Sequence, residues 1–197
     1  METYLKELDT QLFFFVNQQL ANVVLDWLCP LLRNKFTWIP FYIAAAVFLF
    51  TKYKTNALWF IAAAAVTVLL TDQLSASLIK PFFERLRPCN EPAISAQVRL
   101  LVKCGRGFSF VSSHAANHFG IAALFAVYFK NKYLYILLFA WASSIAFSQV
   151  YVGVHYPFDV LIGSVLGIAI GCLAACGLQL MPVKTTLNFE GNSNLRK

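Results

Sequence analysis

The chain has 197 residues, of which 59% are hydrophobic and 13% charged, with a formal net charge of +7. A soluble domain is roughly 45–50% apolar and about 25% charged, so this composition, with a mean hydropathy of +0.63, excludes an ordinary soluble domain and fits a polytopic membrane protein. The cations do not point to nucleic acid, because many sit in short connecting loops and neither an aromatic-basic RNA motif nor zinc-finger spacing is present.

The opening METYLKELDT lacks the basic, then apolar, then small-residue order of a cleavable signal peptide. Residues 4–30 mix Leu and Phe with Asn17, Gln18, Gln19, Asn22 and Asp26. That is too polar for a comfortable span and reads as one or two amphipathic helices at the membrane surface, an interfacial segment over 1–35. A tilted first span from Leu12 to Leu32 is the alternative. The first clear span covers about 36–50, opened by an interfacial Trp38. After the basic link TKYKT, a second runs over about 57–79 and delivers Lys80 at its end. Residues 81–112 hold Pro81, Pro88, Pro92 and two Gly, and form a structured loop. The third span covers 113–129, the fourth about 133–150 and the fifth about 158–180. Residues 181–197 are a polar tail expected to be mobile. The fold class is therefore an all-α polytopic helix bundle. It has five to six transmembrane helices, a core over 36–180, and no linker that would split the single domain 1–197.

The basic turns Lys52/Lys54 and Lys130/Lys132 fall on one side, together with the tail cations. Cationic short loops stay in the cytoplasm, which places the 81–112 loop on the outer side. That loop region carries six Lys or Arg from Lys80 to Arg106, which would draw it inward unless their task is to bind an anion. Cys29, Cys172 and Cys176 lie in apolar segments and read as small buried packing residues. Cys89 and Cys104 bracket the polar loop, and a disulfide between them would staple it if it faces an oxidising compartment.

Three short segments then line up as one phosphate-handling set. KPFFERLRP places Lys80 and Arg87 seven residues apart, with Pro88 next. Arg offers a planar fork for two phosphate oxygens and Lys a mobile point charge. In VSSH, Ser112 and Ser113 precede an apolar helix whose free N–H groups attract anions, and His114 lies in its first turn, suited to donate a proton to a departing alcohol. In SQVYVGVHYPFD, His155 stands four residues before Asp159. A carboxylate on one ring nitrogen fixes the tautomer and leaves the other nitrogen free to attack. His118, one turn below His114, either lines the same cavity or packs between helices.

In this order the segments resemble the type 2 phosphatidic acid phosphatase superfamily, membrane lipid phosphatases whose pattern is K-x6-RP, PSGH, then SR-x5-H-x3-D. The resemblance covers about residues 57–180. It implies that His155 becomes a phosphohistidine, that Asp159 orients it, and that His114 protonates the leaving oxygen and later activates water. Lys80, Arg87, Ser112, Ser113 and Gln149 would hold the phosphate. It implies no metal and no cofactor, with a lipid phosphate and the membrane as the only partners. Undecaprenyl diphosphate or a phosphatidate-like lipid leads the candidate substrates, beside phosphatidylglycerol phosphate and a lipid A phosphate. The expected location is a bacterial inner membrane with the site on the periplasmic side.

Two positions depart from the pattern. Val111 and Ser113 replace its Pro and Gly, a small change. Gln149 replaces an Arg that grips phosphate, and a lost charge-assisted contact costs about 1.5–3 kcal/mol. Arg106 or Lys103 in the preceding loop is the expected substitute charge. Two rival functions use the same features: a phosphotransferase that passes the phosphoryl group to an alcohol, and a silent lipid-binding protein.

Overall fold

The computed structural model describes residues 2–181, and every regular element among them is helical. The expected polar tail lies outside the described residues. In chain order the α-helices are α1 (Glu2–Phe14), α2 (Val23–Arg33), α3 (Ile39–Tyr53), α4 (Ala57–Gln73), α5 (Lys80–Phe83), α6 (Ser113–Phe129), α7 (Lys132–Tyr151) and α8 (Pro157–Gln179). π-Helical turns extend α1 over Phe15–Gln19 and α4 over Leu74–Ile79.

Local chemistry sets the boundaries. Ser112 caps α6 by accepting from the Ala115 N–H, and Lys130 ends it in a left-handed conformation at φ 50°. Asn131 caps α7 through the Tyr133 and Leu134 N–H groups. Pro157 opens α8, where its missing N–H costs nothing.

Among the described residues, three helical stretches are long and apolar enough to cross a membrane: Lys35–Asn90, Lys132–Tyr151 and Pro157–Gln179. A fourth results if Tyr4–Gln19 and Val23–Arg33, bent by 116° at their junction, are one broken span. Large apolar side chains on α3, α4 and α8 face outward, among them Ile43, Val47, Leu69 and Leu173, as expected where lipid is the solvent. Of the three free cysteines Cys29 alone is buried. Cys176 is exposed and Cys172 intermediate, because α8 turns that side away from its neighbours.

The centre of the fold is the pair α6 and α8. A Cβ added to Gly167 would lie 2.2 Å from the Ala116 carbonyl oxygen, and one added to Gly171 would lie 2.2 Å from that of Gly120. The two backbones therefore touch, with no room for a side chain between them.

The N-terminal segment is docked against the loops at one end of this pair. Buried Asn17 donates to the Arg99 and Tyr151 carbonyls, both at 2.8 Å, and accepts from the Arg99 N–H. Asp26 accepts from the Tyr151 hydroxyl at 2.6 Å and pairs with Arg99. Gln18 reaches the Gln97 carbonyl. Asn17, Gln18 and Asp26, which disfavour a simple span over 4–30, thus have specific partners in the loop at 97–99 and at Tyr151, the last residue of α7.

Candidate active site

His155 sits in the turn between α7 and α8 and is almost wholly buried. Its backbone N–H donates to the Gln149 carbonyl at 3.2 Å, which fixes the turn to the end of α7. Its Nδ1 faces Asp159 Oδ2 at 3.4 Å, and its Nε2 faces Arg87 Nη1 at 3.4 Å. A guanidinium accepts nothing. A neutral ring carrying its proton on Nδ1 therefore suits both neighbours and turns the Nε2 lone pair toward Arg87, which lines the cavity with it. Burial, reinforced by the charges of Arg87 and Lys80 and opposed by Asp159, pushes the His155 imidazole down to about 4.

Asp159 is fully buried at the third position of α8. Its Oδ2 also accepts from the Tyr156 N–H at 2.9 Å, and its Oδ1 takes Arg85 Nη1 at 2.8 Å. The other arm of Arg85 holds buried Asp9 at 2.7 Å, and its guanidinium lies over the Tyr156 ring, 3.9 Å from the centroid. Arg85 and Asp9 are absent from the sequence-based site. Arg85 lies inside the K-x6-RP segment, and that position was the one available signal.

The Ser112 N–H donates to the Asp159 carbonyl at 2.9 Å, so the second and third motifs are joined through backbone. Ser113 accepts from the Ser75 hydroxyl at 2.8 Å. The first motif is pinned from the loop side, where Ser109 donates to the Arg85 and Leu86 carbonyls. Cys89 and Cys104 form a disulfide that closes the loop beyond Arg87. Gly105 next to it lies against the Arg87 guanidinium, with its Cβ position 3.5 Å from Cζ.

These residues meet at one cavity of about 990 Å³. Its polar end is lined by Arg33, Lys80, Arg87, Ser113, His114 and His155, and its body by apolar side chains of α3, α4 and α6, such as Leu49, Ala64, Val68 and Phe125. His118 also lines it. Its Nδ1 donates to the His114 carbonyl at 2.7 Å, which leaves Nε2 to face the Tyr42 hydroxyl at 3.5 Å.

Three expected phosphate ligands sit differently. Ser112 is buried behind the cavity and its hydroxyl is committed to capping α6. Gln149 is fully buried and does not line the cavity. Arg106 is exposed on the loop and is not among the lining residues, because the loop directs Gly105 rather than its neighbour inward. The cation beside Gln149 is instead Arg33, whose Nε donates to Gln149 Oε1 at 3.1 Å. No cluster of three or more His, Cys, Asp or Glu among the described residues could hold a metal ion.

Comparison with known proteins gives a consistent set of matches. A family model described as the PAP2 superfamily matches residues 56–180. The lipid A 4'-phosphatase of Bacteroides thetaiotaomicron is 32% identical over 170 residues, covering 85% of this chain and 75% of that protein. The lipid A 4'-phosphatase of Porphyromonas gingivalis is also 32% identical, over 85% of this chain and 72% of its own length. The crystal structure of Aquifex aeolicus LpxE superposes with a TM-score of 0.65 at 26% identity, covering 85% of this chain and 94% of that one.

Proposed function

The chain belongs to the PAP2 superfamily of membrane lipid phosphatases, and from that premise we propose that it removes a phosphate monoester from a lipid A-type glycolipid through a phosphohistidine at residue 155. The observation that carries the chemistry is the clamping of buried His155 between Asp159 at Nδ1 and Arg87 at Nε2, at the head of a cavity whose body is apolar.

In the first step His155 Nε2 attacks phosphorus while the ester oxygen departs with the proton of His114. Asp159 balances the positive charge gained by the imidazole, and Arg85 holds the Asp159 carboxylate in place. Lys80 and Arg87 neutralise the phosphoryl oxygens as charge builds on them. In the second step His114 takes a proton from water, the resulting hydroxide attacks the phosphohistidine, and phosphate leaves with His155 neutral again. The cations supply the electrostatic stabilisation within the protein, and the reading is metal-independent. The backbone N–H groups at the start of α6 and the Ser113 hydroxyl add donors at the polar end.

The similarity to two lipid A 4'-phosphatases moves lipid A ahead of undecaprenyl diphosphate and phosphatidate as substrate. The apolar wall from Val68 to Phe125 suits acyl chains entering from the bilayer. We read five spans, α3, α4, α6, α7 and α8, within one membrane-embedded domain. The 17-residue α6 is about 26 Å long, and α3 and α4 are separate helices along one cavity wall. The Cys89–Cys104 disulfide supports an extracytoplasmic site, and Lys130 and Lys132 at the far end of α6 support a cytoplasmic opposite face of a bacterial inner membrane.

The test is phosphate release by detergent-solubilised protein from a panel of lipid A, undecaprenyl diphosphate, phosphatidylglycerol phosphate and phosphatidate, with EDTA present. Lipid A is expected to be the best substrate, and His155→Ala to be inactive on all four. Equal turnover by His155→Ala would defeat the proposal.

A further inference from the structure

Resting on the phosphatase reading above, we propose that Arg33 is the phosphate-gripping guanidinium that the third motif lacks, supplied through space by the N-terminal segment and aimed by Gln149. Arg33 ends α2, 116 residues before Gln149. It is half-buried and lines the polar end of the cavity with Lys80, Arg87, His114 and His155.

Its hydrogen bonding is that of a positioned ligand rather than of a structural ion pair. Only Nε is engaged, by Gln149 Oε1, and the two Nη groups have no partner among the described residues. Arg85 and Arg99 are both matched by carboxylates, Asp9 with Asp159 and Asp26 respectively. Arg33 is matched by none among the described residues, and it lines the same end of the cavity as Arg87, whose guanidinium it repels. Arg33 and Arg87 repel one another, a repulsion that Asp159 offsets only from the Arg87 side, and an anion between the two guanidiniums relieves it. Gln149 stands behind Arg33 and does not itself line the cavity, so its amide nitrogen plays no part there.

The geometry also explains why position 149 is not Arg. A guanidinium grown from residue 149 would enter the space that Arg33 fills. With Arg33 present, a neutral amide is the side chain that can accept from Nε and orient the fork without adding a third positive charge. The fork then presents Nη1 and Nη2 to two oxygens of the phosphate. The N-terminal segment thereby becomes part of the site, and α2 has to be docked before the phosphate pocket is complete.

The experiment is a calorimetric titration of the full-length, detergent-solubilised chain with inorganic phosphate, for wild type, Arg33→Ala and Arg33→Ala/Gln149→Arg. Arg33→Ala is expected to weaken phosphate binding by about tenfold or more, and the double variant to recover most of that loss. Arg33→Gln, which keeps a donor for Gln149 and drops the charge, replaces Arg33→Ala if the latter does not survive solubilisation, and is expected to bind as weakly. Equal affinity in wild type and the Arg33 variant overturns the proposal, and so does a double variant that binds no better than the single one. Phosphate release by the wild type from the lipid panel is scored separately. Its failure counts against the phosphatase reading alone, since the titration needs no turnover.

Discussion

Asp9 and Phe158, 149 residues apart in sequence, are joined by a 2.9 Å hydrogen bond from the Phe158 N–H to the Asp9 carboxylate. The first helix thus caps the start of α8, satisfying a donor that α8 cannot satisfy itself. The other oxygen of the same carboxylate holds Arg85, which holds Asp159. A chain of four side chains, Asp9, Arg85, Asp159 and His155, therefore leads from the N-terminal segment to the buried imidazole.

Replacing Arg85 by Leu leaves two buried carboxylates without their shared cation. A stability loss of about 3–5 kcal/mol is expected, read as a drop in thermal unfolding temperature in detergent. In the protein that stays folded, kcat should fall far more than KM rises, because Arg85 acts on the nucleophile through Asp159. Asp9→Asn keeps an oxygen for the Phe158 N–H and should cost less than Arg85→Leu on both measures.

The pH dependence follows from His155, whose imidazole is held down at about 4 against an ordinary value of 6.5. The unfolded chain takes up this proton first as pH falls. The contribution of neutral His155 to stability is therefore complete above about 6.5 and lost as pH drops toward 4. Unfolding measured from pH 7 to 4 should show wild type losing stability relative to His155→Gln over that window. Formation of the phosphohistidine, followed by rapid acid-free quenching, should persist at pH 5, where an ordinary histidine would be mostly protonated.

His114→Ala separates the two chemical steps. On a lipid phosphate, whose alkoxide leaves poorly, loss of the proton donor should slow turnover about 10²–10⁴-fold. On p-nitrophenyl phosphate the leaving group needs little help, so the variant should give a burst of nitrophenol close to one per enzyme and then stall at the phosphorylated state. Stopped-flow absorbance reads the burst. Absence of a burst together with unchanged steady-state turnover would remove His114 from the mechanism.

The Cys89–Cys104 bridge spans a sequence separation of 15, a closure worth about 3 kcal/mol in the chain-entropy view. It begins two residues after Arg87 and ends beside Gly105, which touches the Arg87 guanidinium. Cys89→Ser/Cys104→Ser should lower the unfolding temperature and raise KM for the lipid phosphate more than it changes kcat. The wild-type protein treated with reductant should move the same way, and a thiol-reactive polymer should shift it on a gel only after reduction.

Much of the helical framework could be read from the sequence because its signals are local. The Ser112 cap and the KNK turn bound α6 at the residues expected, and Pro157 marks the start of α8. The convergence of Lys80, Arg87, His114 and His155 on one cavity was legible because the spacing within each motif carries chemistry. What the sequence hides is pairing across space. The polarity of Asn17, Asn22 and Asp26 argues against a simple span but does not name their partners, Arg99 and Tyr151. The cations nearest in sequence to the charge missing at Gln149 are Lys103 and Arg106 of the loop, whereas the fold sets Arg33 beside it from 116 residues away. The π-helical turn at Leu74–Ile79 has no local signature either, yet it carries Ser75 to Ser113.

The glycine face between α6 and α8 gives the reaction centre a fixed gauge. Gly163 lies against the Ser112 carbonyl, Gly167 against Ala116 and Gly171 against Gly120, so main chain bears on main chain at three points along about two helical turns. The separation between His114 on one rod and His155 at the mouth of the other is then set by main-chain contact, with no pliable side chain in between. The outer walls α3 and α4 have no such rail. Their side of the cavity is walled by side chains instead, such as Leu49, Ala64 and Val68.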